Sequence, residues 1–495
     1  MQTIKRQSII RDILVFSLLL ILFVLSLRIY FRADLTKNKI YSISPYTRTV
    51  LADLDSEVTV TWYCSGMLEK LVPAARYIQD FLEEYRNYGK GHFVYSIVDP
   101  AAAGKTNTIQ SLGMIPRQIE ILENDGRTFR ELYSGLLIEY KNRHQIIPFF
   151  IDTNTLEYDL TRLILELKDG TEKNSVGIIY GSRPSGLSDE YSYVEPWLSY
   201  AGFQVRNIPL PAKDLDVSVP LLVIGSSLLD YQTVSAIEQF IRDGGSSVFF
   251  VSGTTVNTAT DWESYRKEDD IFLSYLETIG IRIEQELLLD ISNFRMTMPS
   301  LDGTRYEYIN YPFWIISGSF AEGRQKKIFA GIPALQFFWP SPLMLIPGTH
   351  NFLPLVSTTP AAFTMSEPFD TNPFGNQLSL FSSGEKSVKH LGAFSESRNR
   401  IIVFPDEYMI SSLIEYTASD TNLDFLVNCI EWISGKDSLL ELKKDGENYQ
   451  MQPLDAAVES SDLLRTAVLT NIIILPVLII VLTSLKFIRK RRTGK

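Results

Sequence analysis

The sequence predicts a mixed α/β protein: two α/β units in succession, the second doubly wound, flanked by two transmembrane helices. Three observations carry this. Apolar runs stand near both ends, Ile13 to Leu27 and Ala467 to Leu485. Between them, strand-like runs rich in β-branched residues alternate with helix-like spacings, the pattern of sheets packed against helices. One stretch, about 293–390, breaks the alternation with Pro, Ser, Thr and aromatic residues and reads as a β- and loop-rich insertion into the second unit.

With their flanks the apolar runs predict membrane helices over 13–31 and 466–485, each near the ~20 residues needed to cross a bilayer as a helix. Two spans place both termini on one side and about 440 residues on the other. The tail 486–495 carries Lys486, Arg489, Lys490, Arg491, Arg492 and Lys495 with no acid, whereas Asp455, Glu459 and Asp462 precede the second run. Basic residues stay inside, so the C-terminus is expected in the cytoplasm, and the N-terminus (1–12) with it. The first run alone is indecisive, because Lys5, Arg6 and Arg11 precede it while Arg28, Arg32, Lys37 and Lys39 follow. A cleaved secretory signal is the alternative there. The bulky Leu27-Arg28-Ile29-Tyr30-Phe31 offers no small-x-small cleavage site and favours an uncleaved anchor. Arg28 can snorkel to the headgroups, and Pro476 is tolerated inside a membrane helix.

Composition bounds the rest. A hydrophobic content of 45% with 12% aromatics describes a folded chain, and 495 residues suffice for two or three domains. Removing the +2 of the first twelve residues and the +6 of the tail from the net charge of -11 leaves -19 for the stretch between. Such an acidic body disfavours nucleic acid and anionic lipid. Cys64 and Cys429 form no disulfide framework; one long-range bridge or two small buried hydrophobes are the readings open. His92, His144, His350 and His390 have no metal-ligand spacing, and no cofactor is expected.

The first unit is expected over 34–170. Ser44-Pro45 is a helix start, an N-cap Ser before a first-turn Pro, with the helix over Thr47–Leu54. Val58–Tyr63 is a strand. Leu71, Ala75, Ile78, Phe81, Leu82 and Tyr85 share one face of a helix over Leu68–Tyr88. His92–Val98 is a strand, parallel to the first through that helix. Gln118–Glu123 is a strand ended by the Asn124-Asp125-Gly126 turn signal. Leu132–Tyr140 and Gln145–Phe150 follow as strands, and Leu156–Lys168 as a helix. The order β-α-β, a Pro-containing turn, a β-hairpin and a closing helix is that of a thioredoxin-like unit.

The second unit is expected over 174–435. Ser175–Tyr180, Phe203–Ile208, Leu221–Ile224 and Ser247–Val251 read as strands, with helices over Tyr193–Ala201, Tyr231–Arg242 and Asp269–Ile279. This alternation predicts a doubly wound parallel sheet. Ile281–Leu289 reads as one strand. After the insertion, Arg400–Phe404 is a buried strand and Asn422–Ile433 a helix capped by Gly435. A linker over 436–465 leads to the second anchor.

No constellation predicts catalysis, and no catalytic, cofactor-binding or metal site is assigned. Cys64-Ser65-Gly66-Met67 occupies the strand-to-helix turn where a redox enzyme carries Cys-x-x-Cys, but Met67 stands at the second position. The Gly177–Gly186 loop lacks the phosphate-binding Lys of a P-loop. Ser252 ends a strand where hydrolases place a nucleophile, yet Phe250 and Thr254 replace the flanking glycines of Gly-x-Ser-x-Gly. Gly244-Gly245 reads as a helix terminator. Phe337-Phe338-Trp339 reads as core packing, with a partner patch as the alternative.

Certain residues resemble a known family. Arg32-Ala33-Asp34-Leu35-Thr36 and Tyr41-Ser42-Ile43-Ser44-Pro45-Tyr46-Thr47, directly after the first anchor, resemble the opening of the gliding-motility GldG-type proteins, accessory subunits of bacterial ABC transporters. Val98-Asp99-Pro100, Ser134-Gly135-Leu136-Leu137, Leu156–Thr161, Phe240–Gly245 and Asn428–Ile433 follow in the family's order. The resemblance implies a non-enzymatic membrane subunit beside an ABC permease and an ATP-binding subunit, in contact with the lipid bilayer and with possible envelope partners. It also implies an amidotransferase-like second unit without the catalytic Cys. The expected location is the inner cell membrane, two-pass, with the bulk extracytoplasmic. Two rival readings are an extracytoplasmic enzyme with thiol or amidotransferase-like chemistry and a structural envelope anchor.

Overall fold

A computed structural model describes residues 42–443, except 69–73, 124–125, 151–154, 171–173, 183–189, 259–261, 301–303, 376–384 and 418–419. Both expected membrane spans, the basic tail and most of the 436–465 linker lie outside the described residues. Among the described residues no helix is long and apolar enough to cross a membrane. The chain divides into two compact units, Met1–Thr153 with Asp159–Lys168 and Asn154–Tyr158 with Asp169–Lys495.

The first unit begins with α1 (Pro45–Ala52), where the Ser44 hydroxyl accepts from Thr47 N at 3.0 Å. It continues through β1 (Val58–Cys64), α2 (Ala74–Tyr88), β2 (Phe93–Val98), α3 (Thr106–Ser111), β3 (Arg117–Glu123), β4 (Gly126–Leu132), β5 (Ser134–Tyr140) and β6 (Arg143–Ile147), with α4 (Leu156–Asp169) after it. The sheet order is β2-β1-β5-β6, with β1 parallel to β2 and antiparallel to β5, while β3 and β4 pair only with each other. The expected strand Leu132–Tyr140 is broken at Tyr133. Ser65 takes both backbone groups of Tyr133: its hydroxyl accepts from Tyr133 N at 2.9 Å, and its N–H donates to Tyr133 O at 3.1 Å. The chain therefore leaves the β3–β4 hairpin and enters the sheet at that point. Helix α3 was not expected; its six residues carry too few apolar positions for a readable period.

The second unit is built on a nine-stranded sheet. Its leading elements are β7 (Ser175–Tyr180), α5 (Val194–Tyr200), β8 (Gln204–Asn207), β9 (Leu221–Ile224), α6 (Tyr231–Arg242) and β10 (Ser247–Phe250). A small hairpin follows, β11 (Thr254–Val256) and β12 (Ser264–Arg266), then α7 (Ile271–Ile279), β13 (Ile281–Ile283) and β14 (Leu287–Leu289). The insertion holds β15 (Asn293–Pro299), β16 (Tyr306–Ser317), β17 (Leu335–Phe338), β18 (Leu343–Leu345), β19 (Leu353–Ser357) and β20 (Phe363–Met365). The chain returns through β21 (His390–Ser395), β22 (Ile401–Phe404), α8 (Thr421–Ile433) and α9 (Asp437–Leu440).

Five neighbouring strands, β22-β10-β9-β7-β8, run parallel. Their residues alternate between two cores, as strand geometry requires. Ile178, Leu222, Ile224, Val248, Phe250, Ile402 and Phe404 face the layer that contains α5, α8 and the insertion. Ile179, Leu221, Val223, Phe249, Ile401 and Val403 face α6 and α7. Helices on both faces make the sheet doubly wound.

The insertion is more ordered than its composition suggests. β16 is twelve residues long and forms a three-stranded sheet with β15 and β17, whereas β18 and β19 pair antiparallel to β21 and extend the main sheet. The expected single strand Ile281–Leu289 is two strands in different sheets, because β13 pairs with β18 and β14 with β20.

Helix α8 is buried along its length, and its polar residues fasten the insertion. Asn422 Nδ2 donates to Gln336 O (2.8 Å) and Met409 O (2.7 Å), and its Oδ1 accepts from Gln336 N (3.0 Å). Asn428 Nδ2 donates to Ile328 O (2.8 Å) and Ala330 O (3.1 Å). A buried backbone group left unpaired costs about 1–3 kcal/mol. Asn422→Leu keeps the volume and strips three bonds, so it is expected to lower the stability of the full-length chain by about 2–4 kcal/mol in urea unfolding. A loss below about 0.5 kcal/mol would remove Asn422 from this role.

Candidate functional site

In open α/β sheets, ligands bind beyond the carboxyl ends of the parallel strands, where strand order reverses. Here that place lies between β7 and β9, since β8 is added on the outer side of β7. The turns that leave β7 and β9 both begin Gly-Ser: Gly181-Ser182 and Gly225-Ser226. Gly181 N donates to Ile224 O and Gly225 N to Phe250 O, each at 2.7 Å. Gly225 has φ +76°, and a Cβ there would lie 1.9 Å from Ser182 Oγ. A Cβ on Gly181 would lie 2.3 Å from Gly225 O. These two turns interlock where a ligand's crevice would open.

The next two strand ends are tied to each other. Ser252, after β10, is wholly buried, and its Oγ accepts from Glu407 N at 2.9 Å. Gly253 N donates to Ser341 Oγ at 2.9 Å. Asp406, after β22, accepts from Phe338 N (2.6 Å), Tyr408 N (2.8 Å) and Met409 N (3.1 Å). Burial pushes the Asp406 carboxyl up, opposed by those N–H groups and reinforced by Glu407.

Lys267, just after β12, closes the group. Its Nζ lies 2.6 Å from Glu407 Oε2, with the two side chains only 4% and 2% exposed. The ammonium also donates to Ser226 Oγ at 3.4 Å, and Ser226 in turn donates to Asp270 Oδ2 at 2.6 Å. The other oxygen of Asp270 caps α7 through Phe272 N (2.9 Å) and Leu273 N (3.1 Å). A chain of polar contacts thus runs from the β22 turn through Lys267 to the β9 turn and into α7. Beside it Tyr191, whose hydroxyl is 3.5 Å from Ser182 Oγ, is pushed well above the usual phenol range by burial.

This arrangement holds the strand ends together. The Ser252 hydroxyl serves the backbone amide of Glu407. His350 is paired to Asn399 Oδ1 (3.0 Å) and Thr349 Oγ1 (3.1 Å). Among the described residues, no group of three or more His, Cys, Asp or Glu could hold a metal ion.

The other positions singled out in the sequence are structural as well. Cys64 is buried, with its thiol 3.6 Å from Ser65 O, while Ser65 fixes Tyr133. Gly66 N donates to Asp99 Oδ2 at 2.9 Å, and that bond, with Ala102 N and Ala101 N, holds the Asp99 carboxyl below its usual range against partial burial. The turn that would carry redox chemistry is therefore a clasp. Cys429 is buried in α8, and burial pushes its thiol up. Neither cysteine is in a disulfide. Gly244 has φ +100°, and Gly245 packs on the Phe240 ring. Phe337, Phe338 and Trp339 are fully buried, which settles that cluster as core. Residues 183–186 of the Gly177–Gly186 loop lie outside the described residues.

Sequence reasoning missed Lys267, Glu407, Ser226 and Asp270. One signal was present: Asp406-Glu407 directly follows a buried strand and Pro405, and an acidic pair entering a core needs a partner. Removing one member of a buried ion pair costs about 3–5 kcal/mol, whereas replacing both by apolar groups is near neutral. Lys267→Met is expected to destabilise the full-length chain by about that much, and Lys267→Met with Glu407→Met to recover more than half. A double-mutant cycle in urea checks it; additive losses would contradict the pairing.

A family model described as ABC-type uncharacterized transport system, an auxiliary component, matches residues 173–429, and a second, described as a domain of unknown function (DUF7088), matches 37–139. An uncharacterized protein of Borreliella burgdorferi is 24% identical over 486 residues, covering 94% of each chain. The first match spans more than half of the 495 residues, including the parallel strands of the second unit and their turns, and the chain belongs to this ABC-type transport auxiliary family.

Proposed function

We propose that the chain is a non-enzymatic accessory membrane subunit of an ABC-type transport system, working beside a separate permease and a separate ATP-binding subunit. The observation that carries the reading is the family match over the unit whose carboxyl strand ends are sealed by its own side chains. Carboxyl strand ends closed by Gly225 against Ser182 and by Lys267 against Glu407 suit a rigid body that meets other proteins.

In this reading the two apolar runs anchor the chain in the inner cell membrane with both termini cytoplasmic. The basic tail and the acidic body of net charge -19 support that orientation. The GldG-like assignment rests on the ordered sequence pieces. The sheet order β2-β1-β5-β6, with one parallel and two antiparallel pairings, supports a thioredoxin-like scaffold for the first unit. The parallel order β8-β7-β9-β10-β22 supports an amidotransferase-like second unit. The chain has no Gly-x-x-x-x-Gly-Lys-Ser/Thr loop, so the nucleotide cycle belongs to the partner. That cycle reaches an outer body only through an element with two arrangements, here the membrane helices against the permease.

The test is affinity purification of the tagged full-length chain from membranes in mild detergent. An ATP-binding subunit and a multi-span permease are expected to co-purify in fixed ratio. Recovery of the chain by itself, at expression levels matched to its partners, would overturn the proposal.

A further inference from the structure

We draw no further inference here: the strongest candidate, the outward face of the β15–β16 ribbon where Tyr306 and Tyr308 stand exposed and Arg295 lies over the Tyr308 ring, is a sheet face for which nothing in the structure shows what covers it.

Discussion

The second unit depends on one buried ion pair. Lys267 and Glu407 sit almost out of reach of solvent, at the place where a doubly wound sheet ordinarily offers its ligand site. An ammonium or a carboxylate alone would be untenable there. Paired, and with Ser226 accepting a further bond from the ammonium, they bridge the turn after the last parallel strand to the turn at the order reversal. Ser252 fixes the backbone of Glu407 itself, and Asp270 carries the contact into the first turn of α7. Polar groups that could do chemistry in another protein are spent here on one another.

The same logic extends along α8. Apart from Thr421 and Asp424 this helix is buried, and its asparagines do not face water. They bond to the backbone of the insertion, converting a Pro- and Ser-rich excursion into a fixed part of the unit. A second charged group follows the helix: Asp437, which opens α9, meets Arg400 at 2.6 Å and Lys327 at 2.9 Å. Just beyond, Lys443 donates to Asn428 Oδ1 at 2.6 Å. The residues that precede the expected second anchor are thereby joined to the helix that organises the core.

Much of the fold was legible because periodicity and capping report burial directly. Ser44-Pro45 began a helix, and Val58, Leu221 and Ser247 began strands, because short β-branched runs between turn residues have few alternatives. The insertion resisted the same reading. The twelve residues of β16 combine aromatics with Asn310 and Pro312, so no clean alternation marks the strand although its partner β15 stands just before it. The break at Tyr133 was invisible because it depends on Ser65, 68 residues earlier. The strand-end network was the least legible part. Lys267 lies in a run of charged residues that reads as a solvated loop, and only the fold brings it to Glu407, 140 residues on. The ion pair that fills this place was not itself legible in the sequence.

Native-state hydrogen exchange of the full-length chain tests most directly whether these strand ends are sealed. The amides of Gly225, Gly253 and Glu407 are donors in the closed turns, to Phe250 O, Ser341 Oγ and Ser252 Oγ. If the turns form one closed unit with the sheet, these amides exchange only through global unfolding, with the same free energy and denaturant slope as the amides of β9 and β10. Exchange at Gly225 and Glu407 through a low-energy local opening, insensitive to denaturant, would reveal an accessible crevice and contradict the account.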